Sequence, residues 1–260
     1  MLPERHDRVL AATAWIIRAL SVAHLSGFVA GFLVIGGGGR LAMRIAAMLS
    51  ADELQGSMTE NAERVGEITL SGTVGLMFTG AAFGMALGLG FLLIAHLIPA
   101  SGWRRVLVSG ALFFTVCGFV TLERGENADY ERFGIAGVNV CIFTLLPLLF
   151  GLLIAPLYDW FNRSIPRDLP RFSRSAGSSL VSFLMIVAML AVVPVISLLL
   201  FLPPLQLFLV APLLALGGER LIARLVTGSA RWSLWPSRVA LAVPCLTGLT
   251  LLLIAVGRIV

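Results

Sequence analysis

Apolar residues in this chain come in long unbroken runs, separated by short polar segments rich in glycine, proline and arginine. About 20 apolar residues of helix cross a hydrocarbon core roughly 30 Å thick, and that length predicts seven spans. They cover Ala19 to Gly38, Ser71 to Ile98, Val106 to Leu122, Ile135 to Tyr158, Leu180 to Leu202, Leu205 to Leu216 and Val239 to Gly257. The sixth is short unless its helix continues past Gly217-Gly218. Lipid offers the backbone no hydrogen-bond partners, so spanning segments are helices or closed barrels. The runs lack the period-2 alternation of barrel strands. The expected fold is all-α, a single polytopic helical bundle over residues 1–260. Residues 40–70 are expected to form an outer loop with short amphipathic helices. Residues 159–178, which contain NRSIPRDLPRFSRSAGS, read as a cytoplasmic linker between spans one to four and spans five to seven.

Charge orients the bundle. With the N-terminus in the cytoplasm, 13 of the 19 basic residues fall in inner segments, and nine of the 14 acids fall outside. The bias of basic residues towards short cytoplasmic loops predicts N-in and C-out. Joining the fifth and sixth runs into one crossing would put Arg220 to Arg238 outside and break that bias. Trp15 and Arg18 sit at the inner end of the first span, where aromatic rings and snorkelling arginines belong.

Composition then removes several function classes. Mean hydropathy is +0.96 and only 13% of residues are charged. Every basic residue is arginine, as in proteins from GC-rich genomes. Without lysine there is no Schiff base for retinal or pyridoxal phosphate. The pI of about 10 comes from arginines spread over loops, so nucleic acid is not an expected partner; the lipid bilayer is. Cys117, Cys141 and Cys245 lie inside apolar runs without metal-ligand spacing, and they read as packing residues with no metal or cofactor implied.

The second span carries Gly80-x-x-x-Gly84-x-x-x-Gly88, with Gly72 and Gly75 before it. Glycines four apart line one helix face and admit a second backbone. Packing within the bundle is one reading of this face. A homo-oligomer or another membrane protein docking there is the other.

Few residues offer chemistry. Arg40 and Arg44 follow the tetraglycine Gly36–Gly39 and share a face of a short helix, a candidate site for an anion or lipid headgroup. They are expected to contact either a headgroup or the Glu60, Glu63 and Glu67 stripe, whose helix would start at the capping box Ser57-Met-Thr-Glu60. GGGRLAMRI (Gly37 to Ile45) resembles GGERLIARL (Gly217 to Leu225), the pattern an inverted-repeat transporter would show. His24 and Asn139 are the polar groups well inside spans, where such residues face the bundle interior. The depth of His24 and His96 leaves a metal or haem pair conceivable, without any further ligand.

Two resemblances complete the reading. Ala23-His24-Leu25-Ser26-Gly27-Phe28-Val29-Ala30-Gly31 is similar to the Ala-His-x-x-Gly-x-x-x-Gly element of rhomboid intramembrane proteases. That family places its Gly-x-Ser-Gly nucleophile before the histidine. Here Ser71-Gly72 and Ser109-Gly110 come after it and lack the leading glycine, so the likeness is coincidental. Over the whole chain, GRLAMR, GEITLSGT and VNVCIF resemble uncharacterised multi-spanning membrane proteins of GC-rich actinobacteria. That resemblance implies the cytoplasmic membrane of a bacterium and no catalytic residues. The functions left are a small-solute or lipid transporter or channel, a non-catalytic subunit or scaffold of a membrane complex and, remotely, an intramembrane hydrolase. No nucleophile–base pair or intramembrane carboxylate pair favours an enzyme.

Overall fold

The computed structural model describes residues 2–51, 54, 56–57, 67, 69–98, 102–122, 134–165 and 234–260, with side chains from residue 15 onwards except in 234–240 and at Val120. Every regular element among them is helical. The chain forms α1 (Leu2–Ala30), a π-helical segment (Gly31–Gly38), α2 (Gly39–Met48), α3 (Leu70–Ile94), α4 (Trp103–Leu122), α5 (Ala136–Ser164) and α6 (Leu234–Ile259). Among the described residues, four stretches are long and apolar enough to cross a membrane: Trp15–Met48, Leu70–Ile94, Ala136–Ser164 and Leu241–Ile259. The expected spans five and six, and the second GGxRLxxR string, lie outside the described residues.

The glycine face of α3 is filled by α1 of the same chain. A Cβ added to Gly84 would lie 2.6 Å from the Gly31 Cα, and one added to Gly88 would lie 3.1 Å from the Gly27 Cα. At Gly36 an added Cβ would lie 2.5 Å from the Met77 Cα. Residues 27, 31 and 36 thus descend α3 through 88, 84, 80 and 77, so the two helices are antiparallel with backbones touching. Helices in lipid gain no hydrophobic free energy from meeting each other, and close packing of small residues is what holds them.

A second close approach joins α4 to α5, where a Cβ on Gly151 would lie 2.8 Å from the Gly110 Cα. Phe113 meets Phe150 edge-on with centroids 5.0 Å apart. Phe91 of α3 packs on Phe113 at 6.4 Å and on Tyr158 at 5.3 Å. These rings, with Ile94, Leu112, Val116 and Ile154, fill one buried core between α3, α4 and α5. On the outer flank of α4, Gly248 sits against Thr115 and Val116, and Leu252 against Gly118. Both sets of contacts run in the same direction, so α6 is parallel to α4.

Two expected boundaries move. The tetraglycine does not separate the first span from a short loop helix, because α1, the π segment and α2 follow without a break. Gly38, at the start of α2, has helical dihedrals (φ −63°, ψ −41°), and the Gly39 N–H is bonded to the carbonyls of Ile35 and Gly36. At the other boundary α5 runs on to Ser164, past the expected linker start at residue 159. Pro147 and Pro156 lie within it, as intramembrane helices allow when neighbours satisfy the freed carbonyls. Arg18 closes the end of this helix. Its Nε donates to the Ile165 carbonyl at 3.2 Å, its Nη1 to Asn162 Oδ1 at 2.9 Å, and its Nη2 to the Asn162 carbonyl. A cation at a helix C-terminus also complements the helix dipole.

Gly75 and Gly84 provide an internal comparison on α3, because an added Cβ at Gly75 meets nothing within 4 Å. Gly75→Ala should leave folding unchanged. Gly84→Ala should destabilise by about 1–3 kcal/mol through overpacking, and Gly84→Leu should abolish folded yield. Thermal unfolding and size-exclusion profiles in mild detergent check this, and equal behaviour of the two alanine variants contradicts it.

Candidate functional site

The two intramembrane polar residues singled out in the sequence are both about 1% exposed, and they do not form one site. Asn139, in the first turn of α5, is bonded through its backbone N–H to the Ile135 carbonyl. A Cβ added to Gly134 would lie 3.2 Å from the Asn139 Oδ1 and 2.9 Å from the Ala46 carbonyl oxygen, and the Gly134 N–H donates to Ser50 Oγ at 2.8 Å. Asn139 therefore belongs to the end of the bundle where α2 finishes. Ala46 is about six helical turns beyond His24, roughly 30 Å at about 1.5 Å per residue.

His24 faces the interior nearer the opposite end. Its Nδ1–H donates to the Leu20 carbonyl at 2.7 Å, one turn back on its own helix. That bond leaves the lone pair on Nε2, which is buried with no hydrogen-bond partner. Ser21 and Ser26 beside it spend their hydroxyls on the carbonyls of Ile17 and Val22. Ser109, one of the serines weighed against the rhomboid pattern, donates to the Arg105 carbonyl of its own helix at 2.7 Å.

Arg40 and Arg44 keep their i,i+4 spacing on α2 but lose the helix N-terminus expected beside them, because the backbone N–H groups there are already bonded within the continuous helix. Arg40 reaches the segment that carries the acidic stripe. Its Nη2 donates to the main-chain carbonyl of Glu67 at 3.2 Å. Its Nε is buried without a hydrogen-bond partner, and the Arg44 side chain is exposed. Glu60 and Glu63 lie outside the described residues.

The strongest polar constellation is one that sequence reasoning passed over. Arg105, in the first turn of α4, is 5% exposed. Its Nε lies 3.4 Å from Asp159 Oδ1 on α5, and its Nη1 donates to the Ala95 carbonyl at the end of α3 at 3.3 Å. The guanidinium lies 5.5 Å from the Phe91 ring centroid and 5.9 Å from that of Tyr158, within cation–π range. One side chain thus ties three helices at the end of the bundle that Arg18 also closes. A signal was available in the sequence. The predicted topology puts Arg105 and Asp159 on one membrane side, at the ends of consecutive antiparallel spans.

No protein-family model, curated protein or solved structure matches this chain.

The Arg105 contact also makes an asymmetric forecast. Removing the partner strands a buried charge, whereas removing the charge leaves Asp159, whose side chain is 28% exposed, within reach of water. Asp159→Ala should cost about 3–5 kcal/mol, and Arg105→Met distinctly less. Thermal unfolding of both variants in detergent is the check. A larger loss for Arg105→Met would show that the pair stabilises through attraction rather than by satisfying a buried cation.

Proposed function

We propose that this chain is a multi-pass protein of a bacterial cytoplasmic membrane that acts as a non-catalytic structural subunit. The observation that carries this reading is the backbone contact of α1 on α3, continued into a filled aromatic core between α3, α4 and α5. A transporter of the kind expected from His24 and Asn139 needs them near one midplane cavity, and they lie about 30 Å apart along the bundle. Channel or transporter function is the second reading, and the unpartnered Nε2 of His24 is the observation in its favour. An intramembrane polar atom left unbonded costs free energy and often marks a functional site.

Seven spans with N-in and C-out remain our topology. Arg18, Arg104, Arg105 and Arg163 belong to one end of the bundle, the end that the positive-inside rule assigns to the cytoplasm. Because α5 is antiparallel and α6 parallel to α4, the described chain stops at Ile165 and resumes at Leu234 at that same end. An even number of crossings fits, and the two remaining apolar runs supply two.

Cysteine labelling in intact cells and inverted vesicles tests both parts, after Cys117, Cys141 and Cys245 are replaced by alanine. Probes at residues 160–175 and 225–235 should label from the cytoplasm, and probes at 52–64 and 125–131 from outside. Ser26→Cys, Ala30→Cys and Ala81→Cys should stay unlabelled from either side. Labelling of these three by a water-soluble maleimide would favour transport over the structural role. Outside labelling of 160–175 would end the seven-span topology.

A further inference from the structure

The face by which α1 meets α3 does not keep one period. Ala23, Gly27 and Gly31 follow at steps of four, and the next contact is Gly36, a step of five. The extra residue is accommodated by the π segment Gly31–Gly38, where hydrogen bonds span five residues rather than four. Had the helix stayed α, Ile35 would take the place of Gly36. A side chain there meets the Met77 backbone, since even an added Cβ at Gly36 would sit 2.5 Å from the Met77 Cα. The π form therefore does two things. It places a glycine where α3 allows nothing larger, and it turns everything beyond by one residue, about 100° of helix. Four residues on, Arg40 arrives over the Glu67 carbonyl.

The glycines after Gly36 are not required by packing. A Cβ on Gly37 would meet only its own Phe32 carbonyl at 3.7 Å, and one on Gly39 only a Leu76 methyl at 3.8 Å. At Gly38 the neighbour is the movable end of Leu146 at 2.9 Å. Gly37 and Gly39 have room for a side chain and Gly38 would need only the end of Leu146 to shift, so the three glycines leave the backbone free at the very point where π geometry returns to α. Long π segments are rare, and short ones concentrate at functional positions.

From this we infer that Gly31–Gly38 is a register joint with two settings. In the π setting α2 is docked: Gly36 lies on Met77, and Arg40 is bonded to Glu67. In the α setting the helix is uninterrupted, Ile35 pushes it off α3, and α2 turns by about 100° with Arg40 and Arg44. Contacts made only in the docked form bias the equilibrium towards it. Arg40 is the latch, because its bond to Glu67 exists in one setting alone. The lower part of α1 stays fixed by Gly27 and Gly31 in both.

The test uses the full chain in phosphatidylethanolamine–phosphatidylglycerol nanodiscs, with the three native cysteines replaced by alanine. Nitroxide labels go on Met48→Cys in α2 and Val74→Cys in α3, both exposed positions. Double electron–electron resonance should show two distance populations in this parent, and Arg40→Gln should raise the minor one at least twofold. Deleting Ile35 should leave only the docked distance, because Gly36 and Arg40 then fall on the α3 face of a plain α-helix. A single distance, unchanged by Arg40→Gln, overturns the joint. If the deletion variant does not fold, hydrogen exchange of the parent decides. Amides 36–40 should exchange at least tenfold faster than amides 24–30, and equal protection overturns the joint as well.

Discussion

Where α1 crosses α3, main chain rests on main chain, and the level at which the first helix meets its other partners depends on that contact. In water, two helices are driven together by burying apolar side chains. In lipid, the tails are as apolar as leucine, so that driving force is absent, and what remains is dispersion at short range and hydrogen bonding. Close approach maximises the first term, and only glycine permits it. Gly27, Gly31 and Gly36 on one helix, and Gly80, Gly84 and Gly88 on the other, leave no side chain in the gap. This contact sets the depth of α1, and with it the level at which Arg18 reaches the end of α5 and Arg40 reaches Glu67.

Polar ties finish what small residues begin, and they are gathered at the ends of the bundle. At one end Arg18 takes up orphan carbonyls of α5, and Arg105 binds Asp159, the Ala95 carbonyl and two ring faces. A buried arginine contributes little net stability when satisfied and costs much when stranded. Its effect is therefore to fix which helices meet, more than how firmly they hold. At the other end Ser50 receives the Gly134 N–H, bringing the start of α5 onto the end of α2. Between these ends the described core is mainly aromatic and aliphatic; buried Ser26, Ser109 and Thr144 bond to carbonyls of their own helices, whereas His24 keeps one ring nitrogen unbonded.

Much of this was legible along the chain, for reasons that differ by element. The glycine face of α3 announced itself by four-residue spacing, and its partner was also present in Gly27-x-x-x-Gly31. The step of five to Gly36 was not legible. A π turn has no compositional signature of its own, and the tetraglycine that hosts it looks like a loop. For the same reason α2 read as a separate element, and Arg40 seemed to stand at a helix N-terminus. Hydropathy located α3, α4 and the core of α5, but it ended α5 too early. Tyr158 to Ser164 is polar enough to leave the membrane yet remains helical, held by Arg18 from another part of the sequence. The Arg105–Asp159 pair was implied by topology and was missed because each residue, taken alone, looks like an ordinary span-end charge. His24 and Asn139, expected to face the interior, are both buried. Only the structure separates them, because depth along a span is a poor measure of neighbourhood when helices run antiparallel.

The glycine contact between α1 and α3 lies within one chain. The rings of Phe32 on the π segment and Phe78 on α3 meet edge-on with centroids 6.3 Å apart, at the margin of that contact. In a cysteine-free background, Phe32→Cys and Phe78→Cys can be joined in native membranes with a short bismaleimide. A crosslink within the chain gives a product of monomer mass in which both cysteines are consumed, and this is the expected product. A product of twice that mass, formed with equal efficiency when the two substitutions are carried on separate co-expressed copies, would place α3 against a second molecule and contradict it.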